Sequence, residues 1–336
     1  MSVGDPEIVV SAASAGVGSV DAPAPELAAA KIQGRSPWRL AYERLRSDRA
    51  AVICALVIVL IVLMAIFAPL FRLMTGHPPN HQYFDTGLSL DGQPRSPNGT
   101  FWLGTDDVGR DVLVRIAYGA RVSLIVGVVA TFLTVSIGTI VGLAAGYFGK
   151  IVDTILARII DVMLSIPFLL FAIALASIFS QASWNQGFWF LPAGLPIVII
   201  VLAIFSWSSV ARIVRGQVLS IREREYVEAA RAMGAGPWRI MIIDILPNVI
   251  APIIVYTTLL IPVSIVGEAT LSYLSVGVQP PTADWGQMIS DAQGNYHAWW
   301  FLVFPSLALL ITTLAFNIFG DGVRDAFDPR SDRLFN

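Results

Sequence analysis

Residues 162–211, VMLSIPFLLF AIALASIFSQ ASWNQGFWFL PAGLPIVIIV LAIFSWSSVA, contain no Asp, Glu, Lys or Arg. A spanning helix needs about 20 apolar residues to cross a bilayer's hydrocarbon core. This run is too long for one span and long enough for two. Gln181 to Gly194, with Asn185, Gly187, Pro192 and Gly194, supplies the turn between them. Four further charge-poor stretches flank the run: Ala50 to Phe71, Val122 to Gly146, about Val249 to Ser275 and about Ala298 to Gly320. The pattern predicts an all-α, polytopic integral membrane protein with six transmembrane helices. Composition agrees, because 55% of the 336 residues are hydrophobic and 14% charged, with a mean hydropathy of +0.69. A soluble domain carries about 25% charged residues, and chains that stay unfolded are poor in apolar ones.

Short loops rich in Lys and Arg stay in the cytoplasm. Seventeen of the 22 basic residues precede span one, lie between spans two and three or four and five, or follow span six. The other five all fall between Arg72 and Arg121. The charge bias predicts cytoplasmic termini and an extracytoplasmic segment over residues 72–121. Residues 1–35 lack the basic start of a signal peptide and are expected to form a disordered cytoplasmic tail. Over residues 36–49, Ser36 as N-cap and Pro37 at the first helical position predict a helix. Trp38, Ala41, Tyr42 and Leu45 share one face, and Arg39, Arg44, Arg46 and Arg49 cover much of the rest. This amphipathic pattern points to an interfacial helix on anionic membrane lipid. Trp184, Phe188, Trp189, Phe190, Trp299 and Trp300 are expected to anchor the outer interface.

Several chemistries are disfavoured by the residues present. Cys54 is the single cysteine, so no intrachain disulfide or cysteine-based metal cluster exists. Lys31 and Lys150 are the only lysines, and neither precedes Ser or Thr, so no phosphate-cradling P-loop is present. No basic face of the kind that binds nucleic acid accumulates. His77 and His81 stand four apart, but Pro78 and Pro79 forbid the helix that would make them zinc ligands, and a solvated loop is expected. Asp106, Asp107 and Asp111 match no calcium loop and are expected to serve loop hydrogen bonds and pairing with Arg110 or Arg115. Asp161 is expected to pair with Arg158 three residues earlier. Glu268 is the main intramembrane carboxylate, read here as an interhelical hydrogen-bonding group because no further buried carboxylates form a proton relay. Gly138, Gly142 and Gly146, at four-residue spacing, form a side-chain-free face for close helix packing.

The loop between spans four and five, residues 212–248, is mixed in charge and helix-prone, with Gly234, Gly236 and Pro237 as a break and Pro247 closing a second short helix. Its Glu228, Ala229, Ala230, Gly234, Leu246 and Pro247 resemble the EAA loop of ATP-binding-cassette import permeases. The resemblance extends over roughly residues 36–336. Leu103 to Asp111, Gly119 to Leu124, Ile245 to Asn248, Leu271 to Pro281 with Trp285-Gly286, and Gly320 to Pro329 are similar to the C-type subunit of the dipeptide, oligopeptide and nickel import subfamily. Asp244 departs from the general importer pattern, where many permeases carry an aliphatic residue, and the N-terminal tail lies outside the family pattern.

The resemblance implies a type I importer permease (MetI-like) fold in a bacterial cytoplasmic membrane, with residues 122–336 as permease core. It implies a translocation subunit, not an enzyme, that carries di- or oligopeptides, or alternatively nickel or another small solute. Expected partners are a second, B-type permease, two ATP-binding subunits and an extracytoplasmic substrate-binding protein. ATP and Mg then belong to the partner subunits, and this chain carries no cofactor, catalytic residue or metal. An ion-coupled secondary transporter is the alternative from a different class, and it would work without those partners.

Overall fold

The computed structural model describes residues 37–179 and 192–328. The expected tail, the aromatic turn with Trp184, Phe188, Trp189 and Phe190, and the N-cap Ser36 lie outside these residues.

The element order is α1 (Pro37–Ser47), α2 (Arg49–Ile66), α3 (Ala68–Thr75), α4 (Phe84–Gly87), α5 (Val112–Phe148), α6 (Lys150–Ser165), α7 (Phe168–Phe179), α8 (Leu195–Ile221), α9 (Glu225–Ala232), α10 (Pro237–Arg239), α11 (Leu246–Tyr273), α12 (Trp285–Ala292) and α13 (Trp299–Phe327). A π-helical stretch, Ile240–Ile245, joins α10 to α11. Among the described residues every regular element is helical, apart from two isolated bridges between Leu88 and Pro94 and between Thr105 and Asp111.

Among the described residues five helices are long and apolar enough to cross a membrane, and a sixth crossing is made if the bent pair α6 and α7 counts as one span. The third expected span, beginning near Val162, is therefore not a straight helix. Its cause is Pro167, which has no N–H to donate and forces the preceding residue out of the helical region. Ile166 accordingly sits at φ −78° and ψ 126°, and the two helices meet at 87°. The twelve residues of α7 rise about 18 Å at 1.5 Å per residue.

Helices α5 and α8 run side by side and in parallel through the centre. Gly138, Gly142 and Gly146 are buried on the face of α5 turned to α8. A Cβ on Gly138 would stand 2.6 Å from Val210 Cβ, one on Gly142 2.7 Å from Val214 Cβ, and one on Gly146 2.6 Å from Val218 Cβ. The glycines thus let the α8 valines reach the α5 backbone. A layer of Val122, Val126, Ala130, Ala172, Val201 and Leu271 joins α5, α7, α8 and α11 in the middle of the bundle.

The two ends of the bundle differ. One is capped by residues 76–111 with α12, where α5 starts ten residues earlier than its apolar span. Asp111 makes that start, its Oδ1 accepting from the N–H of Leu113 at 2.9 Å and of Val114 at 3.3 Å. His77 is buried, not solvated, and its Nδ1 lies 2.7 Å from Asp111 Oδ2, with its ring stacked on Phe101. Asp106 accepts from Arg110 Nε at 2.6 Å and lies 3.4 Å from Arg115 Nε. Trp300, expected at the lipid interface, is instead buried, and its Nε1 donates to Thr105 O at 3.2 Å. Trp299 beside it is exposed.

At the opposite end, α1 packs on the end of α13. Ala41 is buried, Trp38 meets Phe327 edge to face, and Arg44 donates to the carbonyl of Asp328 at 3.0 Å. Part of the apolar face expected to rest on lipid is thus turned toward protein. Asp161 pairs with Arg212 of α8 at 2.7 Å, correcting the expected Arg158 pair. The α6 and α8 helices pack together, which brings a cation from another helix to that carboxylate.

Candidate functional site

The segment between α8 and α11 has the clearest division of labour in the chain. Helix α8 runs on to Ile221, so the ordered loop begins about ten residues later than expected, at Arg222. Arg222 Nη1 donates to Gly146 O at 2.9 Å, fixing the start of the loop to the end of α5. Helix α9 then places Val227 and Ala230 inward, where they join Val214, Val218, Ile240, Ile245 and Val249 in one apolar cluster. Leu246 packs against the same cluster. This core is what holds α9 beneath the transmembrane helices.

The end of α9 is a Schellman closure. Ala235 N donates to Ala230 O and Gly234 N to Arg231 O, both at 3.0 Å. The closure requires a left-handed residue, and Gly234 supplies it at φ +83°. A non-glycine residue there costs roughly 1–2 kcal/mol. Gly236, two residues on, has φ −71° and needs no such freedom.

Glu228 and Ala229 lie exposed on the other face of α9, and Gly234 and Pro247 are exposed as well. Met233 is 82% and Trp238 72% exposed. At the start of α9 a cleft of about 750 Å³ is lined by Ile221, Glu223, Arg224, Glu225, Tyr226 and Asn248. A short charged helix with one face locked into the bundle, followed by apolar side chains standing free, suits the role of a lever. Of the six residues read from the sequence, Ala230 and Leu246 anchor, Gly234 turns the chain, and Glu228, Ala229 and Pro247 face outward. Pro247 does not close a second helix, because it stands at the start of α11 directly after the π-helical stretch, in a helix that continues through it. The chain runs from Pro237 through the π-helical stretch into α11 without a break. Sequence reasoning missed the exposed Met233 and Trp238, whose signal was two large apolar side chains in a charged loop.

At the capped end, Glu268 is fully buried and accepts from Ser123 Oγ of α5 at 3.2 Å and from Ser272 Oγ at 2.9 Å. It does link helices, as the sequence suggested. A second buried carboxylate, Asp284, contacts it, which the sequence reading did not identify. Its signal was the position of Asp284 directly before the Trp285-Gly286 pair.

The long parallel α5 and α8, the anchored loop before α11 and the all-helical bundle describe a polytopic membrane protein. The chain belongs to the family of binding-protein-dependent transport system inner membrane components, whose profile matches residues 138–333. Residues 36–91 match the N-terminal TM domain of oligopeptide transport permease C. Among its relatives, the dipeptide transport system permease protein DppC of Alkalihalophilus pseudofirmus is 40% identical over 88% of this chain and 90% of its own length. The oligopeptide transport system permease protein OppC of Bacillus subtilis is 41% identical over the same shares. The glutathione transport system permease protein GsiD of Pectobacterium atrosepticum is 38% identical over 88% and 92%. A chain of the inward-facing MetNI methionine ABC transporter shares the fold, with a TM-score of 0.51 and 22% identity over 63% of this chain and 96% of that one. The permease fold expected from the sequence is the fold observed, and the protein is a multi-pass inner-membrane permease.

Proposed function

We propose that this chain forms half of the translocation pathway of a peptide importer and takes its driving motion from an ATP-binding subunit seated on α9. The observation that carries this reading is the two-faced α9, with Val227 and Ala230 locked into the bundle and Glu228 free to meet a partner, together with the exposed Met233 just after α9 and Trp238 of α10. A partner can shift the pathway between states only by binding one state better than the other. A rigidly anchored helix transmits that difference to α8 and α11. ATP and Mg act on the partner, and the end carrying α9 and most of the basic residues faces the cytoplasm. The capped end with residues 76–111 and α12 then faces an extracytoplasmic binding protein, and a second permease of the B type completes the pathway. Helix α1, with Arg39 and Arg46, and Arg49 at the start of α2, rest at the cytoplasmic lipid surface. The di- and oligopeptide relatives support peptide as cargo.

A cysteine introduced at Met233, with Cys54 replaced by alanine, tests the contact. It is expected to cross-link to the ATP-binding subunit in the assembled complex, with a yield that changes when ATP is trapped. Cross-linking confined to the chain itself, or unaffected by nucleotide, would contradict the contact.

A further inference from the structure

Glu268 and Asp284 are both fully buried, on α11 and at the start of α12 respectively. Gly286, two residues after Asp284, lies against the backbone of Ala269, next to Glu268, so the two carboxyl groups are neighbours. An ionised carboxylate is an acceptor only, so a hydrogen bond between two carboxyl groups requires that one of them hold a proton. Asp284 Oδ2 is taken by the N–H of Gln287 at 2.9 Å, and its Oδ1 is buried with no donor in reach. Two like charges in contact in a dry site cannot both ionise without a counter-ion.

Among the described residues no cation forms an ion pair with either carboxyl. Arg115 of α5 is the cation that acts on Asp284, but it is engaged elsewhere. Its Nε lies 3.4 Å from Asp106 Oδ2, and its Nη1 donates to Pro79 O at 3.2 Å and to Pro281 O at 3.4 Å. Around Arg115 stand Asp106, Asp107, Arg110 and, from α12, Asp291. On the α11 and α5 sides, Ser272 and Ser123 face Glu268 with hydroxyl groups. Among the described residues no third His, Cys, Asp or Glu completes a metal site here.

The pair also sits where α12 meets the bundle. Asp284 caps α12, Trp285 Nε1 donates to Ile116 O of α5 at 3.0 Å, and Gly286 lies against the Ala269 carbonyl so closely that a Cβ would collide with it. We propose that Glu268 and Asp284 bind a single proton between them, and that this shared proton fastens α12 to α5 and α11 at the capped end of the pathway. They are positioning residues, holding the wall of the mouth, and the inference does not depend on which cargo the permease carries.

The sign of the pH dependence follows. Burial holds the Asp284 carboxyl above the usual carboxylate range. Between the ordinary carboxylate value and the raised one the folded protein therefore binds more protons than the unfolded chain. Stability is greatest below that window and falls as pH rises through it.

The test uses the full complex, purified and also reconstituted in vesicles. Thermal unfolding and ATP-driven uptake are followed from mildly acidic to alkaline pH for the wild type, Glu268→Gln, Asp284→Asn and Glu268→Ala. An amide supplies the bridging hydrogen permanently, so Glu268→Gln and Asp284→Asn are expected to match the wild type at acidic pH and to lose its alkaline decline. Glu268→Ala is expected to unfold earlier throughout. Parallel decline of wild type and Glu268→Gln, or a Glu268→Gln variant as unstable as Glu268→Ala, would overturn the proposal. Infrared spectra give a readout independent of variant folding: the wild type should show the carbonyl stretch of a buried protonated carboxyl, and its absence would overturn the shared proton.

Discussion

Arg222 Nη1 donates to the backbone carbonyl of Gly146 at 2.9 Å, so the first residue of the loop between α8 and α11 is tied to the last turn of the central helix α5. A hydrogen bond from a charged donor contributes about 1.5–3 kcal/mol when buried, less where the side chain is partly exposed as here. Arg222→Gln is expected to leave the chain inserted and assembled but to lower the uptake gained per ATP hydrolysed, because the loop can then move without α5. The ratio of uptake to hydrolysis in reconstituted vesicles checks it. An unchanged ratio would remove the tie from the mechanism.

Gly234 and Gly236 form a matched pair. Neither has an atom within 4 Å of the space a Cβ would fill, yet Gly234 has φ +83° and Gly236 −71°. Gly234→Val is expected to strain the closure of α9 by roughly 1–2 kcal/mol or more and cut uptake several-fold. Gly236→Val should fold as the wild type does, because extended backbone before Pro237 suits a β-branched residue. Equal thermal unfolding of the two variants would show that the left-handed turn is not required.

Gly142 sits where a Cβ would stand 2.7 Å from Val214 Cβ and 2.8 Å from the Ala211 carbonyl. Because one obstacle is backbone, Gly142→Ala must push α5 and α8 apart, a strain of about 1–3 kcal/mol. Thermal unfolding in detergent should drop accordingly. Val214→Ala in the same chain should restore only part of the loss, since the carbonyl contact remains.

Asp111 has two tasks, capping α5 and accepting from His77. Asp111→Ala is therefore expected to cost more than His77→Ala, by about the 0.5–2 kcal/mol of a lost cap. Equal losses in thermal unfolding would mean that the cap contributes nothing.

The transmembrane plan was legible because charge-free length and the distribution of Arg are local properties of a chain. Glycines at four-residue spacing likewise announced the face that α5 turns to α8. The features that escaped depend on long-range contact. Pro167 was visible, but a proline alone does not fix the 87° at which α6 and α7 meet. His77 looked solvated beside two prolines until the fold carried Asp111 and Phe101 to it. Asp161 looked paired within its own helix because Arg212, fifty-one residues away, could not be placed beside it. Glu268 looked solitary for the same reason, with Asp284 brought to it by the return of the chain after α11. Within residues 222–247, residue types marked the region, but only packing could divide anchors such as Ala230 from free positions such as Met233.

The coupling role of α9 is tested most directly by ATP-dependent uptake of a labelled dipeptide or oligopeptide into vesicles holding the complete complex, with wild-type chain and with Glu228→Lys. Glu228 is exposed in the first turn of α9, so reversing its charge costs at most about 1 kcal/mol of helix stability and leaves assembly intact. The expected result is uptake that requires ATP and the partner subunits and that is lost in Glu228→Lys although the complex still assembles. Uptake at the wild-type rate in Glu228→Lys, or transport by this chain alone under an ion gradient, would contradict it.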